Sequence, residues 1–181
     1  MWRAGIAIFF VSLWLSIGVP RSGRRDDNAS ELQLVDPGVA TSAPIDRAEP
    51  NVLTYHNNNF RTGGYGSETS LTPGSVHSAD FGKVGFLPVR GLVDAEPLYV
   101  ANLMVQGARR KVIFVATEHD LVYAFDADTF ASLWRASVLG AGETTSDNRG
   151  CQQVTPEIGI TATPVIDLRQ GPHGAIYVVA M

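Results

Sequence analysis

Three short apolar runs, Val112–Thr117, Leu121–Asp126 and Ser132–Ser137, crowd the stretch Lys111–Ser137. Each is rich in β-branched or aromatic residues. Polar turn material separates them: Glu118-His119-Asp120 first, then 127–131. Runs of about six residues broken in this way predict strands joined by tight turns. Leu121, Tyr123 and Phe125 alternate with Val122 and Ala124, so the middle strand is apolar on both faces. A sheet built around it must be covered on both sides.

The pattern extends in both directions. Ala95–Leu103 precedes the three runs and predicts a fourth, innermost strand, giving a four-stranded unit of about 40 residues. Farther on, Gly159–Asp167 (GITATPVID) echoes Ala95–Val100, and Ala175–Met181 (AIYVVAM) echoes Val112–Thr117. The copies align Pro97 with Pro164 and Ile113 with Tyr177, across the polar, Gly-rich connection Leu139–Val154. Repeated antiparallel units covered on both faces predict an all-β fold, and a β-propeller of four-stranded blades is the architecture that stacks such units around an axis. One blade and two strands of a second are present. A ring needs about four to eight blades, so the chain is expected to be the N-terminal part of a longer, truncated repeat protein.

The remaining segments carry other signals. Arg3 followed by the apolar run Ala4–Leu15, with Ser16 and Gly18 behind it, predicts an export signal over 1–18 and an exported protein: periplasmic, cell-surface or secreted. An uncleaved anchor is the alternative, although about sixteen apolar residues fall short of a span of ~20. No stable membrane span is expected once the signal is removed. Residues 19–50, rich in Asp, Ser, Ala, Pro and Gly, read as a disordered spacer, and 51–181 as the folded part. Asn51–Ser78 is dominated by Asn, Gly, Thr and Pro and predicts ordered loop and turn, whereas Phe81–Val89 predicts a strand interrupted by Gly85 and Pro88.

Composition narrows the classes of function. The 181 residues are 45% hydrophobic and 18% charged with net charge −4, values of an ordinary globular protein. Nothing offers the basic stripe that nucleic acid demands. Cys151 is the single cysteine, so no disulfide forms within the chain and no cysteine zinc cluster is available. Phosphate loops, HExxH motifs and serine nucleophile elbows are absent.

The run Tyr123-Ala124-Phe125-Asp126-Ala127 with Trp134 behind it resembles the repeat of pyrroloquinoline-quinone (PQQ) propellers, in which a tryptophan docks each blade on its neighbour. Asp120 and Phe130 stand where that repeat usually has glycine. Tyr55, Arg61 and Leu71–Val76 are similar to the segment that leads into the first strand of quinoprotein dehydrogenases, and Phe81–Val89 sits where an outermost strand would close the ring. The resemblance covers about Val52–Met181. It implies two alternatives: a binding or scaffold module for an unidentified protein, glycan or small molecule, or a dehydrogenase that oxidises alcohols or sugars with PQQ and Ca²⁺.

Candidate chemistry is sparse. By the resemblance, Asp94, three places before Pro97, matches a residue that touches the quinone; read alone it is a loop aspartate before a strand. Glu157 stands just before an inner strand, where it either faces the axis to bind a cation or small polar ligand, or accepts backbone N–H groups in its loop. The adjacent cysteine pair of many such enzymes is missing, since Cys151 lies between Gly150 and Gln152. That departure tilts the reading toward the module, and Cys151 toward pairing with a cysteine outside these residues. Glu118-His119-Asp120 reads as a turn, because three consecutive residues do not converge on one ion. Asp126 and Asp128 are expected to hydrogen-bond the turn that follows them.

Overall fold

A computed structural model describes residues 50–66, 68–150, 152–171 and 173–181 of the chain. The export signal, all but the last residue of the spacer, and Cys151 lie outside the described residues. Strand is the main regular structure. β1 (Leu98–Val105), β2 (Ala108–Ala116), β3 (Leu121–Asp126) and β4 (Ser132–Ser137) form one antiparallel sheet in the order β1-β2-β3-β4. The expected inner strand is thus β1, beginning at Leu98. β2 starts earlier than its apolar run, at Ala108, because Gln106 and Gly107 take positive φ (51° and 78°) and turn the chain in a tight two-residue hairpin.

The two-faced apolarity of β3 has the expected consequence: all six residues are buried. On one face Leu98, Val100, Val112, Phe114, Val122 and Ala124 share a core with Ile160, Ile166, Ile176 and Val178. Trp134 is half-buried against that core, its ring tilted 55° to Phe114 with centroids 5.8 Å apart. On the other face Val115, Leu121, Tyr123 and Phe125 pack together, covered by Leu87 and Val89.

That cover corrects one expectation. Phe81–Val89 forms no strand. Pro88 has no N–H to give a ladder. Gly85 lies so close under the Phe130 ring that a Cβ would stand 2.5 Å from it. The segment runs as irregular chain, with Leu87 and Val89 turned to the sheet while Phe81, Val84 and Phe86 are exposed.

Both glycine-like positions adopt the conformation glycine favours. Asp120 has φ 55° and Phe130 has φ 61°. Each closes a hairpin: Asp120 N–H donates to the Thr117 carbonyl, and Phe130 N–H to that of Asp126. Asp126 caps its turn as expected, its Oδ1 accepting the N–H groups of Asp128 and Thr129 at 3.1 and 2.9 Å. Asp128 instead faces Lys111 in an exposed ion pair.

Beyond β4, the polar connection carries a two-residue ladder, β5 (Ser146–Asp147) with β6 (Glu157–Ile158). The second copy supplies a shorter hairpin than expected, β7 (Val165–Asp167) paired antiparallel with β8 (Ala175–Tyr177). Ile166, not Val165, takes the inward place that Leu98 holds in β1, one residue further than the Pro97–Pro164 alignment expects.

Residues 51–78 are loop and turn, with a 3-10 turn at Tyr55–Asn57 and one helical turn, α1 (Pro73–Val76). α1 opens with a reciprocal cap between Thr72 and Ser75. Their first residues are engaged more firmly than a loop requires. Val52 and Tyr99 exchange two backbone hydrogen bonds at 2.8 and 2.9 Å, and the Leu53 carbonyl accepts the N–H of Ile166 at 2.8 Å. One short stretch therefore ties the edge of β1 to β7. Among the described residues no helix is long and apolar enough to cross a membrane.

Candidate functional site

Antiparallel order puts the start of β1, the β2–β3 turn and the end of β4 at one end of the sheet. The loop before β1 and the segment around β6 fold onto that end. Glu118 N–H donates to the Leu92 carbonyl at 3.0 Å, and Arg90 N–H to the Tyr123 hydroxyl at 3.0 Å. Gly91, at φ +93°, passes so close to the turn that a Cβ would lie 2.7 Å from His119 Cβ. Only glycine suits that combination of φ and space.

From the other side, Ile160 N–H donates to the Thr117 carbonyl at 3.2 Å, and Val138 N–H to that of Asp120 at 3.1 Å. Glu118 Oε2 accepts two hydrogen bonds, from Gly159 N–H at 2.7 Å and from the Thr161 hydroxyl at 3.0 Å. Thr117, Glu118 and Asp120 are all 0% exposed. A run of polar residues between two strands is here an interior feature, because neighbouring chain folds over both of its sides.

Its hydrogen bonding is incomplete. Glu118 Oε1 and both carboxyl oxygens of Asp120 are buried with no hydrogen-bond partner among the described residues. Burial raises the Asp120 carboxyl from 3.8 to about 6, the charges of Glu118 and Glu157 push it the same way, and His119 opposes them. Asp120 is thus a carboxyl whose surroundings favour the neutral acid.

Beside this interior pair lies a more accessible one. His119 Nδ1 stands 2.7 Å from Glu157 Oε1, each side chain about a quarter exposed. Glu157 Oε2 accepts from the Thr145 hydroxyl at 2.7 Å. Burial alone would raise the Glu157 carboxyl; the hydrogen bonds from Thr145 and His119, with the charges of His119 and Arg90, outweigh it and leave the group below its ordinary range. Glu157 is therefore the ionised member of the cluster, poised to accept protons or orient a donor.

Of the two residues singled out in the sequence, Glu157 is thus partnered by side chains, not by the backbone of its own loop. Asp94 is exposed in the loop two residues beyond Leu92, at the same end of the sheet, with no hydrogen bond or ion pair among the described residues. No hydrogen bond or ion pair joins the two. Glu118, His119, Asp120, Arg90, Thr145 and Thr161 emerge only from the fold. Their one sequence signal was the acidic turn Glu118-His119-Asp120 wedged between two strongly apolar strands.

Comparison with family models, with characterised proteins and with solved structures gives no match to this chain.

Proposed function

We propose that this chain contributes a blade and the start of a second to an exported, PQQ-like β-propeller repeat protein that acts as a binding or scaffold module. The observation that carries the reading is the shared core: a four-stranded antiparallel meander buried on both faces, with a second antiparallel hairpin packed on one of them through Ile166, Ile176 and Val178. Adjacent blades meet in this way. The repeat-like strand run, with Trp134 half-buried against the core that the sheet shares with the second hairpin, supports the same assignment. The polar end of the sheet, where Arg90, His119 and Glu157 lie together, is the surface that would meet a ligand, since loops on a rigid scaffold are where binding concentrates.

The second reading is a quinoprotein dehydrogenase using PQQ and Ca²⁺, with Asp94 and Glu157 toward the cofactor. The clustering of carboxylates at one sheet end favours it. The donor set does not fit calcium. Among the described residues no group of three or more His, Cys, Asp or Glu side chains converges on an ion site, and both Glu157 oxygens are already hydrogen-bonded.

Isothermal calorimetry of the full-length protein with PQQ and Ca²⁺ separates the two. The module reading expects no saturable heat at high micromolar PQQ. Saturable binding that weakens in Asp94→Ala and Glu157→Ala would replace it with the dehydrogenase.

A further inference from the structure

Three carboxyl oxygens at the centre of the sheet end have nothing to bond to. Glu118 Oε1, Asp120 Oδ1 and Asp120 Oδ2 are sealed from solvent within one turn, and among the described residues no donor reaches them. Two ionised carboxylates side by side in such a place would carry an uncompensated buried charge. Glu118 Oε2 is engaged, accepting hydrogen bonds from the Gly159 N–H and the Thr161 hydroxyl. Asp120 accepts none, so the proton belongs there.

The same turn is also where the approach to the second hairpin is fastened to the first sheet. Gly159 is pressed onto it so closely that a Cβ would stand 2.2 Å from the Glu118 carbonyl oxygen and 2.8 Å from Asp120 Oδ1. The Gly159 and Ile160 N–H groups and the Thr161 hydroxyl all donate into it. Asp120 is sealed from solvent while Gly159 lies against it, so hydrating its carboxylate favours a conformation in which 159–161 has lifted.

We propose that Asp120 is a proton-operated latch: as the neutral acid it lets Gly159–Thr161 lie closed on the β2–β3 turn, and as the carboxylate it opens that contact. The charged and titratable groups facing it are Glu118 and His119 from its own turn and Glu157 from β6, with Arg90 from the loop before β1 acting on Glu157. Glu118 and Glu157 resist the ionisation of Asp120 and His119 assists it. The raised Asp120 carboxyl agrees with the direction. The sign follows from it. A carboxyl raised from its ordinary 3.8 to about 6 by the closed cover favours closure at low pH, and loses that contribution as pH rises through about 6. The latch requires only the contacts of this sheet end, so it stands or falls separately from the propeller assignment.

Amide exchange on the full-length chain tests it. Once the intrinsic base catalysis is removed, protection of the Gly159 and Ile160 amides is expected to fall by up to about tenfold per pH unit between the two values, then level off. In Asp120→Asn, which keeps the side-chain shape and tolerates the same φ, protection should be flat over that range. Equal pH dependence in both proteins would overturn the latch. A direct reading does not need the variant: in ¹³C-labelled wild-type chain the Asp120 carboxyl should titrate near 6, and a midpoint at or below 3.8 would overturn the proposal.

Discussion

Glu118 and Gly159 are 41 residues apart in sequence, yet the Glu118 carboxylate accepts the Gly159 N–H at 2.7 Å and the Glu118 carbonyl lies against the Gly159 Cα. The turn of one hairpin and the approach to the next are thus joined by backbone, side chain and shape together. No other residue type fits position 159, since the nearest obstacle is main chain, which cannot swing aside.

Gly159→Ala is therefore expected to destabilise the protein by about 2 kcal/mol, in the range of overpacked substitutions. Urea unfolding beside Gly82→Ala checks it, because a Cβ at Gly82 meets nothing within 4 Å. Equal midpoints for the two variants would refute the close approach.

Removing the acceptor should matter comparably. Glu118→Ala leaves the buried Gly159 N–H without its partner, a loss of about 1–3 kcal/mol, whereas the exposed Thr161 hydroxyl turns to water. Glu118→Gln, which keeps an acceptor oxygen, is expected to lose less. The order is read from chemical denaturation below about pH 6, where the closed contact is favoured, and a Gln variant as unstable as Ala would contradict it.

Acid should act on a different residue, in the opposite direction from the latch. Arg110 donates to Asp126 at 2.8 Å, and with the backbone N–H of Thr129 holds the carboxyl down to about 2, against a partial burial effect. A depressed carboxyl contributes stability above its unfolded value of 3.8, and that contribution disappears as pH falls through about 2. Asp126→Asn should thus be less stable than wild type at pH 7 and draw level with it at the acid end. A gap that persists unchanged in acid would show that Arg110 is not its source.

Phe130 sits at φ 61° with its ring over Gly85. Left-handed backbone costs a residue with a Cβ roughly 1–2 kcal/mol, and a β-branched one more. Phe130→Gly relieves the backbone while uncovering Gly85, whereas Phe130→Val does neither well. The valine variant should unfold at clearly lower denaturant than the glycine variant. The reverse order would mean that the ring contact outweighs the backbone.

The sheet was legible because its signals are local. β3 alternates Tyr123 and Phe125 with Val122 and Ala124, and six buried residues follow directly from that. The resemblance to the PQQ repeat places Asp120 and Phe130 at glycine-like positions, and both take positive φ. Phe81–Val89 misled because its signal, too, is local. It has the apolar content of a strand, and only the Phe130 ring above Gly85 and the missing N–H of Pro88 reveal that it covers the sheet without joining a ladder. The site was illegible in outline. Glu118-His119-Asp120 looks like an ordinary solvated turn until Leu92, Ile160 and Gly159 close over it, and each of those contacts joins distant parts of the chain.

The tie made by Val52 and Leu53 also sets an order of events during synthesis. These two residues leave the ribosome well before Tyr99 and longer still before Ile166, the groups with which they bond. Val52 has no partner until Tyr99 is made and Leu53 none until Ile166 is, and contacts so distant along the chain form late. This early stretch is accordingly fastened in two stages, and until Val52 pairs with Tyr99 the edge of β1 stays open to any other strand that passes.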